Sequence, residues 1–92
     1  PVDAQKSTVV FELHVAVAGE NYAVMQRLAE AHEHKLRDQV ITATRMSPLA
    51  IFDEPDLQSF RRRIYLRLRR ALPQLVIGDV YVSEFQLTVK SL

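Results

Sequence analysis

Two segments in which apolar and polar residues alternate limit the folds open to this 92-residue chain. The first covers residues 8–18, and its apolar side is formed by Val9, Phe11, Leu13, Val15 and Val17. The second covers residues 79–89, and its apolar side is formed by Tyr81, Phe85, Leu87 and Val89. Alternation with a period of two is typical of a strand that buries one face. The sequence therefore predicts one strand near each end of the chain, each with a core-facing side.

A helical repeat follows the first strand. Apolar residues recur at steps of three and four over residues 22–44, which predicts a long helix with one apolar stripe. The residues on this stripe are Met25, Leu28, Ala29, His32, Leu36, Val40 and Ala43. Asn21 is the predicted N-cap, because its side-chain oxygen can accept a hydrogen bond from a free amide of the first turn. The residue before a proline disfavours helix, so Ser47 and Pro48 should end this helix by about Met46. His32 is expected to be partly buried.

A second helix is predicted from about Glu54 to Leu72. Asp53 is the expected cap, acidic residues suit the helix start, and Pro73 cannot continue the helix. Its apolar side consists of Leu57, Phe60, Ile64, Leu68, Ala71 and Leu72. The short apolar segment 49–52 between the helices is interpreted as either a brief strand or a loop packed on the core.

The order strand, helix, helix, strand predicts an α+β domain in which a small antiparallel sheet carries both helices on one face. Gly78 and Asp79 are a candidate bulge in the second strand. Two strands alone make a poor sheet. Segment 49–52 would therefore add a third strand, or else preceding sequence or another subunit would complete an edge. Residues 1–7 are polar and without period, so we predict a disordered lead-in to a single domain at 8–92.

Composition excludes several classes of site. The chain has no cysteine, so disulfides and thiolate metal sites are absent, and its net charge of +1 gives no strong field for nucleic acid or membranes. It has no glycine-rich phosphate loop and none of the common hydrolase motifs. His32 and His34 would point in opposite directions on a helix. Glu30 and His34 alone are too few for a structural zinc site. We predict no catalytic, cofactor or metal site.

Six arginines fall within the ten positions 61–70 of the second helix. Leu66 lies among them, away from the apolar stripe. The candidate interface residues are Arg62, Arg63, Leu66, Arg67, Arg69 and Arg70. Three interpretations stay open: a solvated outer face, a contact surface for an acidic protein or a neighbouring subunit, and a binding surface for nucleic acid or anionic lipid. The near-neutral chain and the lack of interleaved aromatic residues disfavour the third, so nucleic acid is not an expected partner.

The closing strand carries a family resemblance. The run Val80-Tyr81-Val82-Ser83-Glu84-Phe85-Gln86-Leu87 resembles the C-terminal strand of FliL proteins, which are associated with the flagellar basal body. That strand typically has a valine-tyrosine-phenylalanine-threonine-glutamate-phenylalanine run. The first alternating segment, the helical run at 37–41 and the arginine-bearing helix also have counterparts in the same order. The resemblance covers roughly residues 8–89.

This resemblance implies a fold similar to the stomatin and prohibitin domain and no catalysis. It implies a domain on the periplasmic face of the bacterial inner membrane, held there by a single-pass anchor upstream of this chain, which begins with Pro rather than Met. The expected partners are further copies, in a ring, and the stator proteins of the flagellar motor, so the expected role is in motility and chemotaxis. A related membrane-associated scaffold without a flagellar role is the alternative within the same class.

Overall fold

The structure, a computed structural model, describes residues 5–17 and 22–91. Its elements are strand β1 (Gln5–Val17), helix α1 (Tyr22–Ala31), helix α2 (Glu33–Met46), helix α3 (Gln58–Ala71) and strand β2 (Ile77–Ser91). The two strands pair antiparallel, which confirms the predicted α+β class with a small antiparallel sheet. Three helices rather than two stand between them. β1 begins at Gln5, so the last three residues of the predicted lead-in belong to the strand. Residues 1–4 and the predicted cap Asn21 lie outside the described residues.

The predicted first helix is two helices, because the backbone leaves helical geometry at His32. This residue has φ −116° and ψ 23°, and α2 starts at the next position. His32 itself is exposed, so the apolar stripe does not include it. The prediction that His32 is partly buried was therefore wrong. The predicted end of the helical region is confirmed, since α2 stops at Met46, immediately before Ser47 and Pro48.

The connection between α2 and α3 is made of two short 3-10 turns, Leu49–Asp53 and Pro55–Leu57. Pro48 enters with an extended backbone, and its carbonyl accepts the first turn's hydrogen bond from Ile51 N–H at 3.0 Å. Ile51 and Phe52 are buried. The alternative of a packed loop was thus right. The alternative of a brief strand was wrong, because a 3-10 turn uses the main-chain groups that a strand would offer to a neighbour.

α3 begins at Gln58, later than predicted, because Asp56 and Leu57 both adopt left-handed backbone angles. Asp53 does not cap it. The carboxylate of Glu54 accepts the main-chain N–H of Ser59 at 3.0 Å instead. Hydrogen bonds from the Ser59 side chain and main chain lower the pKa of Glu54. The helix ends at Ala71, one residue before the predicted end at Leu72, and Pro73 follows the C-cap.

The core is an apolar cluster between the helices and one face of the sheet. Its fully buried side chains include Phe60, Ile64 and Leu68 of α3, and all five apolar residues predicted for the inner side of β1 pack against the cluster. Phe60 lies 5.0 Å from Phe52 and 5.4 Å from Phe11, measured between ring centroids. Edge-to-face pairs of this kind add ~0.5–1.5 kcal/mol each beyond the area they bury. The aromatic cluster fixes α3 and the connecting turn on the sheet.

The predicted bulge near the start of β2 is confirmed. Ala16 pairs with Asp79 and Val17 pairs with Ile77, so Gly78 is an extra residue on the β2 side. A residue without a Cβ is suited to this irregular position. The bulge lies at the end of the sheet that is next to the loop following α3.

A second bulge lies at Glu84, in the middle of β2. Val10 pairs with Gln86 and Glu12 pairs with Ser83, which leaves two β2 residues opposite one residue of β1. Glu84 has φ 52°, in the left-handed region. A non-glycine residue costs roughly 1 kcal/mol or more in this conformation. Pairing with β1 holds the strained residue in place.

This second bulge changes which residues of β2 face the core. Before it, Val80 and Val82 face inward, and after it Phe85 and Leu87 do so. Tyr81 is 50% exposed, so the prediction that it faces the core was wrong. Val89 lies on the same side as Phe85 and Leu87, but it is 46% exposed and does not belong to the core as predicted. An extra residue shifts the period-two pattern by one position, and the shift moves Tyr81 to the outer face.

Candidate interaction surface on helix α3

The arginines of α3 lie in three different environments because the helix turns by about 100° per residue. Phe60, Ile64 and Leu68 face the core, which places positions 62, 66 and 69 on the opposite side. Arg61 lies at the border next to β2, and Arg67 lies at the border next to α2. The run of arginines is therefore not one uniform surface.

Arg61 is a structural residue that the sequence did not single out. Only 19% of its side chain is exposed. Its Nε donates to the Val80 carbonyl at 2.7 Å, and its Nη1 lies 2.7 Å from the Asp56 carboxylate. Nη2 lies 3.4 Å from Asp79, and the guanidinium carbon is 5.3 Å from the centroid of the Tyr81 ring. No local sequence signal separates Arg61 from the other arginines, because its contacts come from β2 and from the turn before α3.

The same contacts change the titration of Asp79 and Tyr81. The main-chain N–H of Val80 donates to Asp79 at 2.7 Å, and this bond is the main cause that lowers the pKa of Asp79. Tyr81 and Arg61 lower it further. Hydrogen bonding to Asp79, and the charge of that carboxylate, raise the pKa of Tyr81. Through Arg61, the side chains of Asp79 and Tyr81 connect the start of β2 to α3.

Arg67, a predicted interface residue, is directed toward α2. Its Nη1 donates to Gln39 Oε1 at 3.2 Å, and its Nη2 lies 3.0 Å from the sulfur of Met46. The side chain is half-buried between the two helices. Arg67 therefore holds α2 and α3 together, and its place is between helices rather than on the outer side of α3.

The other predicted interface residues form one exposed patch, which we call the arginine face. It consists of Arg62, Arg63, Leu66, Arg69 and Arg70. Leu66 is 40% exposed and lies among the four arginines. Within the part of the chain that the structure describes, no carboxylate forms an ion pair with any of these four guanidinium groups. The helical spacing predicted this arrangement correctly for all five.

A second feature is an apolar trough between β1 and the helices α1 and α2, here called the β1 trough. It consists of two adjoining cavities of about 730 and 600 Å³. Phe11 and Val40 border both cavities. On the sheet side, the trough is lined by the inner face of β1, from Val9 to Val17. Sequence patterns did not indicate it, because it depends on how far α2 stands from the strand.

The histidines do not form a metal site in the described residues. His32 and His34 are exposed, and His14 lies on the outer face of β1 with its Nε2 2.9 Å from Ser83 Oγ. Within residues 5–17 and 22–91, no group of three or more His, Asp or Glu side chains is placed to hold a metal ion. In the same residues, every buried side chain is apolar. No helix in this part of the chain combines the length and apolar character that crossing a membrane requires.

The chain was compared with protein families, curated proteins and solved structures. No protein-family model, no curated protein and no solved structure matches the chain. The features that bear on function are therefore the geometry of the arginine face and the resemblance of the closing strand.

Proposed function

We propose that this chain is a non-enzymatic assembly domain that contacts an acidic protein surface, on a neighbouring copy or on another protein, through the arginine face. The observation that carries the proposal is the position of Leu66. An apolar side chain surrounded by charged ones is the usual composition of an interface centre with a polar rim.

The charges of the arginine face support the same proposal. Arg62 and Arg69 are seven residues apart, which is about 11 Å along a helix. Four like charges in so small an area repel one another, at roughly 0.5 kcal/mol per pair at 8 Å in water. Carboxylates of a partner would relieve this repulsion and form bidentate bonds with the guanidinium groups. Arginine is also enriched at the centres of protein interfaces.

The finer proposal is that the domain is FliL-like, with a stomatin or prohibitin type of fold, and supports the flagellar stator from the periplasmic face of the inner membrane. It rests on the closing-strand resemblance. The order of elements supports it, because two strands enclose the helices as the resemblance implies. In this proposal the partners are further copies in a ring and stator proteins, and the domain works without a cofactor.

The test reverses the charge of the arginine face and leaves the fold intact. The double variant Arg62→Glu and Arg69→Glu is compared with the control Arg27→Glu and Lys35→Glu, which makes the same charge change on exposed positions of α1 and α2. Self-association is measured by analytical ultracentrifugation, stator binding by pull-down, and motility by complementation of a deletion strain. We expect at least a tenfold loss of association and a smaller swimming zone for the first variant alone. If both variants match the unmodified protein, the arginine face is only solvated.

A separate variant distinguishes protein contact from binding of an anionic polymer or lipid. Leu66→Ser removes the apolar centre without changing the charge, and Val24→Ser, at another exposed apolar position on α1, is the control. A protein interface loses affinity with Leu66→Ser. Binding of nucleic acid or anionic vesicles through counterion release would be unchanged by it and would fall steeply with salt. The second result would replace the assembly proposal with a basic-helix binding module.

A further inference from the structure

The two outer edges of the sheet differ. Arg61 extends from α3, on the inner face, to Asp79 and Tyr81, whose side chains lie on the outer face. Because β1 fills the other side of β2, the Arg61 side chain passes around the free edge of β2. There it bonds the main-chain carbonyl of Val80. A charged side chain across a strand edge is a known way to prevent further strands from pairing.

The free edge of β1 carries no such group among the described residues. In residues 5–17 and 22–91, β2 is the only strand that pairs with β1. No described side chain bonds the main chain of β1, and the contact of its His14 with Ser83 joins side chains on the outer face. Every second residue of β1 thus directs its main-chain N–H and C=O groups away from β2. Within residues 5–17 and 22–91, no main-chain group other than those of β2 pairs with them.

The position of α2 shows how much space lies beside this edge. α3 packs over β2, and α2 packs beside α3 through contacts such as Arg67 with Gln39. Packed helices are about 8–10 Å apart, whereas paired strands are about 4.8 Å apart. α2 therefore lies above the position one strand beyond β1. The β1 trough is the space beneath it.

A second copy of the domain does not fit this space. If two β1 strands paired antiparallel, each α2 would lie above the other copy's β1. The two α2 helices would then be about one strand spacing, 4.8 Å, apart, which is too close for packed helices. If the two β1 strands paired parallel, the helices of the two copies would lie on opposite faces of the joined sheet. The polar side of one copy's β1, with Glu12 and His14, would then face the apolar trough of the other copy. The space suits a single extended segment with no helix layer of its own.

The trough also defines the chemistry of that segment. Most of its wall is apolar, with Leu13 and Val15 on β1 and Leu36 on α2. Hydroxyl side chains also line the part near the start of β1, namely Ser7, Thr8, Thr44 and Ser47. Its ends are charged. Arg45 borders the end near the start of β1, and Glu30 borders the end near Val17. Glu33 at the Glu30 end is already paired with Arg37 at 2.9 Å. Glu30 accepts a long hydrogen bond from Gln26 at 3.5 Å but forms no ion pair within residues 5–17 and 22–91.

We propose that the β1 trough accepts one extended segment of a partner protein as a third strand, antiparallel to β1. The segment has apolar residues at alternate positions, a basic residue at its N-terminal end beside Glu30, and an acidic residue at its C-terminal end beside Arg45. Main-chain hydrogen bonds to β1 supply affinity, and the apolar positions supply selectivity. This site is separate from the arginine face and does not depend on the function proposed for it.

The probe is a nine-residue synthetic peptide, Lys-Thr-Val-Thr-Val-Thr-Val-Thr-Glu, with amide hydrogen exchange of the 92-residue chain followed by NMR. The β1 amides that bond β2 serve as the internal reference. We expect the β1 amides that point away from β2 to exchange rapidly in the peptide-free protein at every protein concentration. With peptide at about 1 mM, the same amides should exchange at least tenfold more slowly. A peptide of the same composition with shuffled order should have no such effect.

Two pairs of variants locate the bound peptide. Ala29→Trp fills the trough and is expected to weaken binding at least tenfold, whereas Ala31→Trp, two residues away and exposed, leaves binding unchanged. Glu30→Lys weakens binding of this peptide and strengthens binding of the peptide with exchanged end charges. Glu12→Lys, on the outer face of β1, should change the binding of neither peptide. A purely structural effect of Glu30→Lys would weaken both peptides and would contradict the assigned polarity.

Three outcomes overturn the proposal. Slow exchange of all β1 amides in dilute protein without peptide would mean that another part of the chain covers the edge. Protection that appears only as protein concentration rises would identify a second copy as the occupant. Unchanged exchange of the β1 amides with peptide present would show that the trough does not accept a strand.

Discussion

Replacing Arg61 by alanine tests whether one side chain joins α3 to β2. The Nε bond to the Val80 carbonyl is worth about 1–1.5 kcal/mol, and the contact with the Tyr81 ring about 0.5–1 kcal/mol. The Asp56 and Asp79 carboxylates are 85% and 51% exposed, so solvent screening leaves these two ion pairs with little to add to stability. Allowing for non-additivity, Arg61→Ala is expected to cost about 2–3 kcal/mol of unfolding free energy.

Urea denaturation followed by circular dichroism measures this loss. For a domain of this size, about 2–3 kcal/mol corresponds to a fall of roughly 10–20 °C in the thermal midpoint. Arg62→Ala, at the next position and exposed, is the matched control and should stay within about 0.5 kcal/mol. Arg61→Lys keeps the charge without the forked geometry and should recover less than half of the loss.

The result that refutes this account is equal stability of the alanine variants at positions 61 and 62. Arg61 would then be a surface residue whose contacts form without stabilising the fold. A second consequence concerns the sheet edge. Removing Arg61 exposes the main chain of β2 near Val80, so we expect this variant, and not the control, to aggregate on mild heating. Light scattering measures this difference.

Three further predictions concern the helices and the second strand. The lowered pKa of Glu54 means that its contribution to stability is present above its ordinary pKa, near pH 4.5, and is lost as the pH falls below it. Glu54→Gln should flatten the acid limb of a stability-against-pH curve, and an acid limb identical to that of the unmodified protein would contradict this assignment. Glu84→Gly should relieve the left-handed backbone and stabilise the fold by about 0.5–1 kcal/mol, whereas Gln86→Gly should destabilise it by a similar amount; equal effects in urea denaturation would contradict the bulge. Arg67→Ala should cost about 1 kcal/mol, because it removes two contacts between α2 and α3, and a thermal midpoint identical to that of the unmodified protein would count against them.

The arginine run illustrates how far sequence patterns reach. Helical spacing correctly predicted that Arg62, Leu66 and Arg69 share an exposed side, since that property depends only on rotation along the helix. It did not separate Arg61 and Arg67 from the others. Their roles depend on which elements pack beside α3, and the spacing of residues along a helix does not show which elements these are.

Local pattern alone determined the strand class of both ends of the chain, the inner side of β1 and the stop of α2 before Pro48. These properties follow from alternation and from backbone restrictions within a few residues. Only the tertiary structure decided the inner side of β2, because the extra residue at Glu84 is defined by pairing with β1. Only it decided where α2 lies relative to β1, and hence that a trough exists. Both depend on distances between segments far apart in the chain, which no local pattern encodes.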